Sequence, residues 1–145
     1  MVSEVKEARE IAVELRPVLL RLARELRREI HSLGVTGTQV TLLATIKNHA
    51  DITASGLAER ERVSAPAMSN QLARLESAGL VARTRGDEDR RRVGLRLTAE
   101  GEKVLRSVHQ RRTAWLSKRL NQLEDEEREA IVNAIEPLAR LLEFE

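Results

Sequence analysis

From Thr53 to Thr98 the chain reads TASGLAERERVSAPAMSNQLARLESAGL and then VARTRGDEDRRRVGLRLT. The first run has the pattern of two short helices joined by a tight turn. Thr53 is placed to cap a helix whose Leu57 and Ala58 face inward. Val63 falls in the turn, and Ser64 caps the next helix, with Pro66 in its first turn where a missing N–H costs nothing. Gly79 ends that helix. Ala65, Met68, Leu72 and Leu75 recur at the helical period and are expected to form its inward face. The other side presents Pro66, Asn70, Ala73, Arg74 and Ser77, with Ala67, Ser69 and Gln71 on its flanks. A small, polar face suits a helix entering a DNA major groove. Bulky apolar groups would obstruct the approach, whereas Asn pairs bidentately with adenine and Arg with guanine. An ordinary amphipathic surface helix carries the same period, so this pattern needs support from its neighbours.

The second run supplies it. VARTRG and VGLRLT alternate apolar and polar residues as half-buried strands do, and DEDRRR lies between them. Between Arg83 and Arg96 there are six arginines, at positions 83, 85, 90, 91, 92 and 96, against three acids. A loop tip with consecutive arginines is suited to the minor groove, where narrow AT-rich tracts concentrate negative potential. Asp89 is placed to fix a neighbouring guanidinium before DNA arrives. A solvated Arg-rich turn is the alternative. It loses ground directly behind a helix-turn-helix, because the two together grip a duplex at two places.

Composition sets the outer bounds. A chain of 145 residues is one domain's worth, enough for a modest core. Hydrophobic residues at 41% and charged residues at 33% suit a soluble folded protein rather than a disordered one. No apolar run is long enough for a membrane span, and MVSEVKEARE is too charged for a signal peptide, so a cytoplasmic protein is expected. Cysteine is absent, which removes disulfides, thiolate metal sites and thiol redox sensing together. Net charge is only +2, but its distribution is uneven. From Asn121 to Glu145 there are eight acidic and two basic residues, a net of −6 that leaves +8 on the rest. That asymmetry fits a basic body facing an anion and an acidic C-terminal segment turned away, although solvated helix faces would produce the same run. Trp115 and Phe144 are the only aromatic residues. So few rings argue against the stacking platforms used for single strands and RNA.

Helical stripes flank this centre. Ile11, Leu15, Val18, Leu19, Leu22, Leu26, Ile30 and Leu33 mark one long helix over about residues 4–33, interrupted by Pro17 and stopped at Gly34. Thr36 opens T-G-T-Q, a capping-box pattern, before a helix carrying Val40, Leu42, Leu43 and Ile46 and ending near Asn48. Thr98 caps a further long helix with Val104, Leu105, Val108, Leu116, Leu120 and Leu123 in phase. EDEERE then opens a last helix striped by Ile131, Val132, Ile135, Leu138, Leu141 and Leu142, with a bend expected at Pro137. These stripes exceed what a small core covers. Mutual burial across a two-fold axis is expected, with packing inside one chain as the alternative.

The stretch from Asp89 to Thr98, DRRRVGLRLT followed by AEG, resembles the wing signature of the MarR family of winged helix-turn-helix regulators. That signature is D-x-R, then five residues, a hydrophobic residue and Thr, with Gly three positions later. LAERERVSAPAMSNQLARLESAGLV resembles the family's helix-turn-helix, and the flanking helices fall in the family's order. The resemblance implies a homodimeric transcription factor, usually a repressor, often released from DNA by a small aromatic or phenolic effector. It places Asp89 and Arg91 at the signature wing positions, with Arg90 beside them. Ser64, Pro66, Ala67, Ser69, Asn70 and Arg74 fall on the recognition helix. The Ala residues at 65 and 67 depart from a richer polar set, and the lack of Cys excludes the thiol-peroxide sensing branch.

The expected fold is mainly α with a small β-hairpin wing: a winged helix-turn-helix (36–98), dimerisation helices (1–33 and 121–145) and a long connecting helix (99–120), forming a single compact domain per chain. Helix N-termini at Thr36–Gln39 and Thr53–Ser55 are expected to hold phosphates through Thr38, Gln39 and Ser55. The expected partner is double-stranded DNA bearing an inverted repeat. A low-specificity architectural DNA binder and a winged-helix protein-interaction module are the alternatives. No cofactor or metal is expected, because His31, His49 and His109 are widely spaced and lack a ligand motif. No G-x-S-x-G, P-loop or G-x-G-x-x-G motif occurs to suggest an enzyme. Trp115 reads as a packing residue, with a place in a small-molecule pocket as the alternative.

Overall fold

The computed structural model describes residues 6–85 and 93–144. Helix α1 (Ala8–Arg28) runs through Pro17 without a break. The single long helix expected as far as Leu33 ends early, and a separate 3-10 turn, His31–Leu33, follows it. The cause lies in the hydrogen bonds. Ile30 N–H reaches back only three residues, to the Arg27 carbonyl, which tightens the chain and turns Ile30 into the core at 0% exposure. Gly34 then takes a left-handed conformation (φ 75°), as its position predicted.

Helix α2 (Gly37–Asn48) begins with the expected capping box. The Gln39 N–H donates to Thr36 Oγ1 at 3.1 Å, and Thr36 N–H donates to Gln39 Oε1 at 3.0 Å. Val40, Leu42, Leu43 and Ile46 are all buried. Helices α3 (Ala54–Glu61) and α4 (Ala65–Ser77) start from the side chains of Thr53 and Ser64, which accept from the Gly56 and Ala67 amides. Between them Arg62 is left-handed (φ 54°), and Val63 N–H closes the turn on the Ala58 carbonyl. Strands β1 (Val81–Arg85) and β2 (Val93–Leu97) pair antiparallel, with Val81 opposite Leu97 and Arg85 opposite Val93.

Thr98 joins the hairpin to α5 (Ala99–Leu120). Its hydroxyl accepts from the Gly101 amide and donates to the Gly79 carbonyl, while its N–H donates to the Leu80 carbonyl. The approach is close enough that a Cβ on Gly101 would collide with the Leu80 carbonyl oxygen. The glycine three residues after the Thr of the wing signature therefore has a steric reason. Helix α6 (Asp125–Arg140) opens with a Glu124–Glu127 capping box and runs past Pro137 into a 3-10 turn, Leu141–Glu143. Arg128 pairs with Asp125 and donates to the Leu123 carbonyl, which fastens the turn between α5 and α6.

The core lies inside α2–α5 and the hairpin. Leu43, Leu57, Leu72, Leu75 and Val108 are fully enclosed there, and Ile30 joins them from the end of the first segment. Neither α1 nor α6 contributes a buried residue.

Candidate nucleic-acid interface

Helix α4 meets the body through Met68, Leu72 and Leu75, which are 2%, 0% and 0% exposed. Ser64, Pro66, Ala67, Ser69, Asn70 and Arg74 are all exposed, so every recognition residue named from the sequence is open to a ligand. Ala65 was expected to face inward and is exposed instead. The reason is positional. At the first turn of α4 the surface beneath the helix is a cleft of about 240 Å³ bordered by Ala67 and Met68, together with Thr38, Leu42 and Val63. Ala65 does not border it. Thr38, at the start of α2, and Ala67 on α4 both border this cleft. Gln39 is half-buried, with its carboxamide oxygen committed to the Thr36 amide, so only its NH2 end remains to meet a phosphate. Ser55 is exposed on the first turn of α3.

Asp89, Arg90 and Arg91 lie outside the described residues. The described part of the hairpin is tied to the helices by ions that the sequence did not single out. Arg83 on β1 pairs with Glu76 on α4 at 2.6 Å. Arg96 on β2 reaches Asp51 through two contacts, Nε to Oδ1 at 3.0 Å and Nη2 to Oδ2 at 3.2 Å. Asp51 is left-handed (φ 62°) in the turn before Thr53. Asp and Asn are enriched in that conformation, and this was the available signal that the turn is sharp.

A second concavity, of about 950 Å³, opens between the end of α1, the start of α2 and α5. Arg24, Arg27, Arg28, His31 and Arg112 line it, together with Thr36, Gly37 and Thr38. Burial, and secondarily the Arg27 guanidinium, push the Arg112 guanidinium below its ordinary pKa. Arg112 Nε donates to the Leu26 carbonyl, which holds the two segments together across the cleft. A smaller hollow of about 400 Å³ shares Thr41 and Arg112 with it and adds His49, His109 and Glu61. Among the described residues no three His, Asp or Glu side chains gather in a way that could hold a metal. Trp115 is half-buried and borders neither hollow, and the Arg119 guanidinium stacks over its ring at 4.0 Å.

Comparison with known proteins places this geometry. Residues 35–93, which run from just before α2 through the helix-turn-helix and β1 to the first residue of β2, match the model of the MarR family. An HTH-type transcriptional regulator of Mycobacterium leprae is 31% identical over 133 residues, covering 92% of this chain and 93% of that protein. The chain belongs to the MarR family. The HTH-type transcriptional repressor MdtR of Bacillus subtilis is 33% identical over 118 residues, covering 81% of this chain and 76% of its own. A putative transcriptional regulator of Pseudomonas aeruginosa, solved by crystallography, superposes with a TM-score of 0.84 at 29% identity, over 98% of this chain and all of that one. This MarR protein therefore has the winged helix-turn-helix fold and the transcription-regulator kinship that its recognition helix and hairpin suggested. No helix among the described residues is long and apolar enough to cross a membrane.

Proposed function

We propose that this MarR protein is a homodimeric repressor that binds an inverted repeat in double-stranded DNA and releases it on binding a small anionic effector. One observation carries the DNA reading. The exposed face of α4, from Ser64 to Arg74, is small and polar, its buried face is locked into the core, and Glu76 near its end is ion-paired to the adjacent hairpin. A rigidly held helix of that composition is built to present Asn70 and Arg74 to base edges. Ser64, Pro66, Ala67 and Ser69 let the backbone come close. Thr38, Gln39 and Ser55 take phosphates at helix N-termini, and Asp89, Arg90 and Arg91 form the wing's contact with the adjacent groove.

Dimerisation follows from the ends of the chain. Leu19 and Leu22 on α1, and Ile131 and Ile135 on α6, are each at least 41% exposed in the single chain. Burying what remains exposed of such side chains across a two-fold axis is worth about half of the roughly 1.5–3 kcal/mol that full burial of each brings, and two-fold symmetry in turn calls for an inverted repeat. Segments 1–33 and 121–145 form the interface, and 99–120 connects it to the DNA-reading part at 36–98. Four arginines around one cleft repel each other until an anion sits among them, which suits the carboxylate or phenolate of a small aromatic effector.

The test is to sequence the DNA fragments that the purified protein retains from a random duplex pool, at two salt concentrations. An inverted repeat whose affinity falls steeply with salt supports the reading. Retention without a common sequence would leave an architectural binder. No retention at all would leave a protein-interaction module.

A further inference from the structure

The hairpin is fastened to the turn before α3 at a crowded point centred on Asp51. Leu95 N–H on β2 donates to the Ile52 carbonyl at 2.9 Å, so the turn before α3 lies along the strand edge. The Asp51 carboxylate receives both Arg96 contacts from β2 and, at 3.4 Å, the Thr84 hydroxyl from β1. Gly94, opposite Thr84, leaves just enough room: a Cβ there would come within 2.9 Å of Asp51 Cα. Both strands are thus held by a residue two positions ahead of the cap of the helix-turn-helix. Successive side chains of a strand alternate in direction. Arg83, which pairs with Glu76 of the recognition helix, therefore leaves the hairpin on the face opposite Thr84 and Arg96. The wing is clamped from two sides, by α4 and by Asp51.

We propose that Asp51 is a positioning residue for DNA recognition, setting the wing at a fixed angle to the recognition helix so that both meet one duplex in register. The inference rests on the DNA reading given above. Asp51 and Arg96 are more than half exposed, and an ion pair so exposed adds little to stability. Its consequence is orientation, which a two-point reader needs and a fold does not.

The experiment uses the full-length protein and two duplexes of equal length, the inverted repeat that wild type selects and a scrambled copy. Asp51→Gly keeps the left-handed turn without strain and removes the carboxylate. It should weaken binding to the repeat about tenfold while changing scrambled DNA less than about twofold. Amide hydrogen exchange at Leu95 in the free protein should quicken, with the melting temperature nearly unchanged. Asp51→Asn, which tolerates the same turn and still accepts a hydrogen bond from Arg96, should fall between. Gly94→Ala retains both ions but pushes the strand off the turn, and should reproduce the selective loss. Plain electrostatics predicts the opposite sign, since removing a negative charge should tighten binding to both duplexes. Tighter binding, an equal loss on both duplexes, or unaltered binding with unaltered Leu95 exchange would overturn the proposal while leaving the DNA reading standing. A wild-type protein with no preference between the duplexes would overturn the DNA reading and this proposal together.

Discussion

The central body and the terminal helices obey the same helical periodicity and reach opposite outcomes. In the body α2, α3 and α4 bury nine residues between them, whereas α1 and α6, with 21 and 16 residues, bury none. Helix α5 contains the boundary, since its buried residues, Gly101, Leu105 and Val108, all lie in its first half. An apolar stripe shows that a helix has a partner, not where that partner is. The body satisfies its stripes within the chain, and the ends leave theirs exposed, as the proposed dimer requires.

Removing 125–145 attacks that difference at its strongest point and should have the largest effect. If the proposed dimer buries α1 against this segment, its loss uncovers the α1 stripe, so an aggregating or unfolded protein is expected by sedimentation and circular dichroism. A well-folded truncated monomer with undiminished DNA affinity would show that the ends are dispensable. In the body, Leu72→Ala should cost about 2–5 kcal/mol in urea denaturation, because the fully enclosed side chain leaves a cavity. Gly101→Ala should cost about 1–3 kcal/mol, since the added methyl meets a backbone carbonyl that cannot swing aside. If Gly101→Ala is neutral, α5 is not seated against Leu80 as described.

What was legible in the sequence follows the range of the interaction. The Thr36–Gln39 box, the Thr53, Ser64 and Thr98 caps and the left-handed Gly34 are each decided within four residues, and all were readable. The end of α1 was misplaced because the apolar period continues through Leu33 while the hydrogen bonding has already shortened at Ile30. Ala65 was misplaced because periodicity says nothing about where the underlying surface stops. The Asp51–Arg96 clamp and the Arg112–Leu26 bond join residues 45 and 86 positions apart, and no local pattern announces them. The exposure of Ser64, Pro66, Ala67, Ser69, Asn70 and Arg74 on α4 was legible, because each stands off the buried Met68, Leu72 and Leu75 stripe.

Within the body, the exposed residues of α4 test whether this helix reads bases or merely touches phosphate. Asn70→Ala or Arg74→Ala should each cost about 1–3 kcal/mol on the selected repeat, with relaxed preference at one base position. Equal losses on scrambled DNA would assign them to the backbone. The wing should show a smaller, graded effect. Arg91→Ala is expected to weaken binding more than Arg92→Ala, and Arg91→Lys to restore it in part, because lysine keeps the charge but loses the planar fork. Equal losses from the two alanine variants would mean that the loop acts through charge alone.

The smallest expected effect is optical, and it tests the boundary within α5. Trp115 is the only tryptophan, and it sits in the half of α5 that buries nothing in the single chain. Its ring is half-buried, with Arg119 stacked over one face. If the ends of the chain close on a second copy, this half of α5 stands beside the new interface and the indole loses water on dimerisation. Emission should then shift to the red by a few nanometres on dilution through the dimer dissociation range. Arg119→Ala should move the spectrum without moving that range by much, since an exposed cation–π contact is worth only about 0.5–1 kcal/mol. Leu72→Ala, by contrast, should leave the dilution curve in place until the body itself unfolds. A Trp115 spectrum that tracks body unfolding and ignores dilution would move the boundary: all of α5 would then belong to the body, and the interface would have to be built from α1 and α6 alone.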